Sequence, residues 1–445
     1  MMGRQVEQGA LFYEVRLEER VPAGHLLRRV DTVLDLSWVR GLMAPHYSRS
    51  GRPSTCPELM VRMLLVGYLY GIRSERRLCE EVELNLAYRW FCRLGLDGRV
   101  PDHSTFTKNR HGRFRESGLM REVFERVVWQ CLETGLASVD HVAVDGSVVL
   151  ADADHHRFVG AASELPREDA SRAVREYLAD LDAAAPDLDG VRRSPPKRVS
   201  LTDPTAAWCA KHGGARFAYG LNAMVDTASG IVIGVEAAPA RHADEPKAAR
   251  AMVERLHERH EVMPTVLTAD KGYGSGAFLT WLEGREIEGQ IPVIEHPEQA
   301  PAGKLPRDAF TYDGEGDTYT CPQGATLRAL QEHRGSVRYV SRRDDCRDCP
   351  IKASCTDQPV RALNRSCHEP ARERAKARMD TPAFRLSMRL RRRVERLFAC
   401  VKRHDGLTRL RLRGLRGADE QFLLAATARN LRRMARDVPR GPAPA

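Results

Sequence analysis

The sequence lacks the marks of export and of membrane insertion. Its first twenty residues, MMGRQVEQGALFYEVRLEER, contain no apolar run of the kind that forms the centre of a secretory signal. The most apolar early stretch, residues 59–72, is too short to span a bilayer and carries Arg62. These absences predict a cytoplasmic protein without a membrane partner. A disulfide framework is also missing. The eleven cysteines are an odd number, and Cys56, Cys79, Cys92, Cys131 and Cys209 lie far apart inside patterned segments, so reduced thiols are expected. Gly272-Tyr-Gly-Ser-Gly276 is not followed by Lys-Ser or Lys-Thr, which excludes a P-loop. His257-Glu-Arg-His260 lacks the spacing of a zinc-protease helix. No internal repeat is visible.

What is present is ordinary in bulk and basic in balance. At 445 residues, 42% hydrophobic and 29% charged, the chain can bury one large core and one or two smaller ones. Lys and Arg outnumber Asp and Glu by 70 to 60, a net charge of +10. That excess suits a polyanionic partner, although it speaks to association rather than to fold.

Along the chain, residues from Ser54 read as short helices in quick succession. Thr55-Cys-Pro-Glu58 resembles a capping box, and Leu59, Met63, Val66 and Tyr70 recur at helical spacing. Ser74 and Asn85 are candidate N-caps, and a helix from Ser104 or Thr105 is expected to expose Lys108, Arg110, Arg113 and Arg115. A compact helical domain with one basic helix fits DNA binding or dimerisation. Near His141 the period changes from 3.6 to 2. HVAVDGSVVL reads as strand, Asp-Gly, strand, and RFAYGLNAMVDT and GIVIGVEAAP as two more strands. An acidic helix is expected over 163–182, a loop at RRSPPKR, an amphipathic helix over 245–260, the strand PTVLTAD, a helix over 275–285 and the strand GQIPVI. Three strands, a helix, a strand and a helix predict an α/β layer. Residues 295–370 turn to short strands and loops. Helices are expected over 382–403 and 418–436, before a Pro-rich tail.

Three carboxylates stand out by their order: Asp145 in one strand, Asp270 ending another, and Glu395 in a helix of basic neighbours. Converging carboxylates repel one another unless a cation lies between them. Hard divalent ions with oxygen ligands fit, and Mg²⁺ suits phosphate chemistry. Arg391, Glu395 and Lys402, spaced by four and seven residues, share one face of a continuous helix. Across 385–416 twelve Lys or Arg stand against Glu395 and Asp405, so the acid lies at the centre of a basic face suited to phosphate. Asp203 and Asn222 are weaker candidates, and Asp152, Asp154, His155 and His156 read as a polar loop.

A second constellation is Cys321-Pro-x-Gly, then Cys346-x2-Cys349-x5-Cys355, with Cys367-His368 beyond. Four thiolates in two parts suit a tetrahedral structural zinc. Plain reduced thiols and an iron–sulfur cluster remain open.

R-x3-E-x6-K spacing, Asp-Gly-Ser after a strand and Ala-Asp-Lys-Gly-Tyr at Asp270 together resemble the bacterial insertion-sequence transposases of DDE type. Within them the chain is similar to the group with a Y-R-E-K signature, in the eleven-eighty-two branch with a helical N-terminal domain and a cysteine cluster. SLTDPTAAW, YGLNAMVDTASG and PDHSTFTKNR resemble phrases of that branch, and the likeness covers nearly the whole chain. It implies a ribonuclease-H-like catalytic core, a mixed sheet with flanking helices, in two parts over 136–294 and 371–436. An all-α N-terminal domain would precede it at 1–135, an inserted cysteine-containing subdomain would interrupt it at 295–370, and a disordered tail would follow at 437–445. It implies Asp145, Asp270 and Glu395 as catalytic residues holding Mg²⁺ or Mn²⁺, with Arg391 and Lys402 as phosphate contacts. The partners implied are double-stranded DNA, both element ends and target, and a second copy of the chain on DNA. The location implied is the nucleoid. The signature's tyrosine position holds Met388, so any contact made by that hydroxyl is absent. A non-catalytic DNA-binding protein and a nuclease that cannot join strands are the alternatives.

Overall fold

The computed structural model describes residues 14–51, 54–168, 170–183, 198–210, 214–241, 244–293, 303–333 and 335–437. Apart from Asp437 and Arg198, the expected tail and the RRSPPKR loop lie outside the described residues. The chain packs into two compact units, Met1–Met263 with Arg392–Ala445, and Pro264–Arg391. No described helix is long and apolar enough to cross a membrane.

The first unit begins with helices α1 (Leu17–Arg20), α2 (Leu26–Val33), α3 (Val39–Met43), α4 (Pro57–Leu69), α5 (Glu75–Leu84), α6 (Leu86–Phe91), α7 (His103–His111), α8 (Arg113–Glu116) and α9 (Leu119–Glu133). Ser74 and Asn85 do cap α5 and α6, accepting N–H groups from Arg77 and from Ala87 and Tyr88. The capping box at Thr55 does not form. Cys56 is the N-cap of α4 and makes no side-chain bond, while Pro57 opens the helix. Burial on nearly every side holds α4 instead, from Met60 to Leu69.

The basic helix also differs from expectation. Asp102, not Ser104, caps α7, accepting the Ser104 N–H at 2.8 Å. Of its four cations only Lys108 is exposed. Arg110 is 6% exposed and lies between two carboxylates, its Nε 2.6 Å from Glu420 and its Nη1 2.8 Å from Glu75. Arg113 lies over the Tyr47 ring and donates to Ser54, and Arg115 pairs with Glu176. Spacing alone hides this, because the acids that claim these guanidiniums come from elsewhere in the chain.

The sheet of this unit contains β1 (His141–Leu150), β4 (Ala207–Ala210), β5 (Ala215–Asp226) and β6 (Val232–Pro239), with a separate ladder of β2 (Phe158–Val159) and β3 (Val199–Ser200). The antiparallel register of β1 on β5 runs without a break from Val142↔Asp226 to Leu150↔Ala218. Asp145-Gly146 is therefore not a turn but the middle of one ten-residue strand. β4 and β6 pair with β5 along its other edge. The acidic segment forms α10 (Arg172–Ala183), shorter than expected, and α11 (Glu245–His260) forms where its Pro246 and apolar period place it. α17 (Arg392–Arg403) and α18 (Leu415–Asp437) complete the unit.

The second unit opens with a parallel pair, β7 (Val266–Thr268) and β8 (Glu288–Gln290), connected through α12 (Gly276–Glu283). α15 (Glu369–Arg378) packs on α12 and β8, and α16 (Pro382–Leu390) on β8. A Cβ at Gly276 would come within 2.6 Å of His368, so only glycine lets α12 approach that close. Between these elements lies an antiparallel five-stranded sheet of β9 (Thr311–Asp313), β10 (Thr318–Thr320), β11 (Thr326–His333), β12 (Ser336–Val340) and β13 (Ala362–Ser366), in simple meander order. α13 (Arg343–Arg347) and α14 (Lys352–Cys355) lie in the connection from β12 to β13.

Removing Arg110 leaves Glu420 almost buried beside an empty site, so Arg110→Met should cost about 3–5 kcal/mol. Urea denaturation of the two proteins measures it. A loss under about 1 kcal/mol, the scale of an exposed pair, would show that the buried pair contributes little to the fold.

Candidate active site

Asp145 stands opposite Ala223 in the middle of β1, half-buried, with Oδ1 accepting the Gly146 N–H at 2.8 Å. Gly146 faces α11, since a Cβ there would lie 3.1 Å from Asn222 Oδ1 and 3.2 Å from Glu245 Oε1. Successive strand side chains alternate, so Asp145 points to the opposite face. Asn222 is wholly buried on the α11 side, its Nδ2 donating to the Glu236 carbonyl at 3.2 Å. It packs behind the strand that carries Asp145.

Asp203 is likewise a structural group. It is fully buried and accepts the Tyr219 hydroxyl at 2.6 Å, the Thr205 hydroxyl at 3.2 Å and the Gly414 N–H at 3.2 Å, tying three chain segments together. Burial pushes its carboxyl up to about 6, although these hydrogen bonds pull the other way.

Glu395 is in the first turn of α17. Val394, Leu397, Phe398 and Val401 form the buried face of this helix, which packs on β1 and β5. Glu395 is exposed beside that face, and Lys402, seven residues on and hence on the same side, is half-buried. The helix expected over 382–403 divides into α16 and α17, with Arg391 at the junction as C-cap of α16. Arg389, Arg391, Arg392 and Arg393 crowd this point, and like charges at helical spacing are mutually destabilising. Arg391 keeps helical backbone, φ −52° and ψ −29°, with its N–H donating to Ser387 O at 2.9 Å. Met388 is half-buried in α16. Asp270 belongs to the second unit, where it follows β7, is half-buried, and caps a short 3₁₀ turn by accepting the Gly272 N–H at 2.7 Å.

Carboxylate oxygens of this kind suit a hard divalent cation. Among the described residues, no three His, Cys, Asp or Glu side chains are already grouped to hold a metal ion.

One basic feature escaped the sequence reading. Residues 408–410 run beside the end of β1, with Leu150 N–H donating to Thr408 O at 3.1 Å and Leu410 N–H to Leu150 O at 2.8 Å. Arg409, Arg411 and Arg413 are exposed and alternate with buried Leu410 and Leu412. The signal was the period-two run RLRLR, hidden inside a segment already read as generally basic. Arg413 also pairs with Asp152 at 3.0 Å.

The folded state holds the Asp203 carboxyl above its ordinary 3.8, so it favours the protonated form. That contribution is fully present below pH 3.8 and is lost as pH rises through about 6. Asp203→Asn should remove this slope from a stability–pH profile. Parallel profiles for the two proteins between about pH 4 and pH 7 would show that Asp203 does not titrate with folding.

Residues 15–112 match the family described as transposase domain (DUF772), and residues 320–435 match the transposase DDE domain family. The second match contains Arg391, Glu395, Lys402 and the four clustered cysteines but neither Asp145 nor Asp270. No curated protein matches the chain. A solved structure of a piggyBac transposase synaptic complex with hairpin DNA aligns with 93% of this chain and 74% of that one, at 11% identity and a TM-score of 0.35. The two family matches fall on separate stretches of the chain and both are to transposase families, which supports a DDE transposase.

Proposed function

We propose that the protein cuts the ends of its own DNA element and joins the freed 3′-hydroxyl to target DNA, with Asp145, Asp270 and Glu395 as the catalytic carboxylates of a ribonuclease-H-like core. The observation that carries the proposal is the packing of α17, which bears Glu395, on β1, which bears Asp145, although the two residues are far apart in the sequence. The transposase DDE match over Glu395 supports the same assignment.

Mg²⁺ or Mn²⁺ is the cofactor of this reading. When bound, it would lower the pKa of the attacking group and neutralise charge on the phosphodiester. The chain's own residues hold and orient. Asp145, kept in place by an unbroken strand, presents its carboxylate on the face opposite α11. Glu395 is carried by a helix whose apolar side is buried, and Asp270 is the third carboxylate of the reading. Lys402, Arg409 and Arg411 supply positive charge for phosphates, and Arg391 is retained as a phosphate contact. Water attacks the phosphodiester at the element end and the bond to the 3′ oxygen breaks. The 3′-hydroxyl so freed then attacks a target phosphodiester, forming a new phosphodiester as the bond to the target strand's own 3′ oxygen breaks and that oxygen leaves as a hydroxyl. The protein acts as a dimer on paired ends in the nucleoid.

The test is incubation with the DNA flanking the gene plus Mg²⁺, with cut positions and joined products mapped. Asp145→Ala, Asp270→Ala and Glu395→Ala should each abolish cleavage while DNA binding stays within a few-fold, and chelation should stop the wild type. Binding without cleavage in either metal would support a DNA-binding protein instead, and cutting without joined products a nuclease. Arg409→Ala with Arg411→Ala should reduce the slope of log binding constant against log salt by about one for each phosphate left unneutralised. An unchanged slope would remove that strip from the DNA surface.

A further inference from the structure

Neither the catalytic reading nor the family matches give the five cysteines of the second unit a task. The connection from β12 to β13, residues 341–361, is well defined yet almost devoid of core: only Ser341, Cys355 and Thr356 in it are buried. Its two helices, α13 and α14, have five and four residues, far below the length at which a helix holds itself. Polar clasps secure its ends and one edge. The Ser341 N–H donates to Arg361 O at 3.0 Å, the Arg361 N–H to Ser341 Oγ at 2.9 Å, and the Leu305 N–H to Ser354 O at 2.7 Å. Asp344 to Pro350, which carry Cys346 and Cys349, are held by local bonds such as Lys352 N–H to Cys349 O at 3.1 Å and contain no buried residue.

The thiols of this unit are arranged unlike idle cysteines. Cys321 opens a tight Cys-Pro-Gln-Gly turn. Its N–H donates to Ala325 O at 2.8 Å, Gly324 N–H donates back to Cys321 O at 2.8 Å, and Gly324 adopts φ +83°. That turn aims the Ala325 N–H at Cys321 Sγ, 3.3 Å away. Cys346 Sγ lies 3.1 Å from Ser341 Oγ. Cys355 is part of the small core with Phe310, Tyr319, Leu327, Tyr339 and Leu363, and Cys321 packs against that core. The Ser341 hydroxyl that Cys346 touches accepts the Arg361 N–H, and Arg361 Nη1 donates to the Cys355 carbonyl at 3.0 Å, which brings these two cysteines to the same clasp. Cys367, by contrast, is exposed at the far end of β13, against Gly335.

We propose that Cys321, Cys346, Cys349 and Cys355 form a four-thiolate zinc site that clamps the 341–361 connection onto the five-stranded sheet. Two ligands come from a two-residue-spaced pair on the connection, one from the end of α14 and one from the turn after β10. This two-part supply is what a closed tetrahedral site requires. The four sulfurs are not yet grouped as ligands, so closure proceeds by rotation of the half-buried Cys321, Cys346 and Cys349 side chains toward the buried Cys355. The ion supplies the stability that so small a core does not.

The full chain, purified with reductant and without added metal, should contain about one zinc per chain by mass spectrometry. Cys346→Ser and Cys355→Ser should lower this at least fivefold, whereas Cys367→Ser and Cys209→Ser should leave it unchanged. Should the first pair fail to fold, the wild type still decides. Organomercurial titration should release zinc in step with four thiols, and Co²⁺ exchange should give the visible absorption of tetrahedral cobalt thiolate. Metal-free wild type, iron in place of zinc, or equal loss from Cys367→Ser would each overturn the site.

Discussion

A single buried helix holds the first unit together. α18 packs against β6 on one side and against α9, α2 and α4 on others, so its polar side chains have little water to turn to. A buried polar group without a partner costs on the order of 1–3 kcal/mol. The helix meets this requirement by bonding to every layer around it. Asn430 imitates a strand neighbour, accepting the Val232 N–H at 2.9 Å and donating to the Val232 carbonyl at 2.7 Å. Asp419 holds Arg121 at 2.8 Å, Glu420 holds Arg110, and Gln421 accepts from Arg73 at 2.8 Å. Arg73 and Arg110 belong to the first family-matched stretch, and Gln421 and Glu420 to the second. The end of the second stretch, from Arg392 onward, is therefore packed with the first stretch inside one unit.

The same bonds change how the net charge should be read. An excess of ten cations suggests a basic surface, yet several guanidiniums, Arg110 of the expected basic helix among them, are internal cross-links. Arg110, Arg62 and Arg89 are all nearly buried, Arg62 pairing with Asp31 at 2.8 Å and Arg89 donating to the carbonyls of Gly95, Leu96 and Gly98. Charge that faces solvent is gathered elsewhere, on α17 and on the alternating strip that follows it. Location, rather than total, makes an anion-binding surface.

Local chemistry explains which elements were legible in the sequence. α11 was readable because Pro246 early in the first turn and an apolar period of 3.6 agree. Asn85 was readable because a cap acts within three residues. β1 was misread because Asp-Gly ordinarily marks a turn. What makes it a strand, Asn222 and Glu245 filling the space of a missing Cβ, comes from distant segments. The division between α16 and α17 was hidden because Leu, Met and Arg all favour helix singly, and only their crowding at Arg391 opposes it. Of the proposed site, Asp145 and Glu395 were chosen from order and neighbours, and the packing of α17 on β1 supports that choice. The roles of Asp203 and Asn222 depend on partners that no spacing reveals.

The proposed carboxylates are supported in different ways. The large core of the first unit fixes the elements that bear Asp145 and Glu395. Around Asp270 the packing within its own unit is local. Tyr273, three residues on, is fully buried, and a Cβ at Gly274 would meet the Pro292 carbonyl oxygen at 2.4 Å. The turn after β7 is thus held by its own packing rather than by the cysteine-bearing sheet. Stability of that sheet and placement of Asp270 are separable, so a structural metal in the one need not be an active-site metal for the other. A chain that binds zinc through thiolates and a harder ion through carboxylates keeps the two apart by donor chemistry, because sulfur and oxygen ligands select different cations.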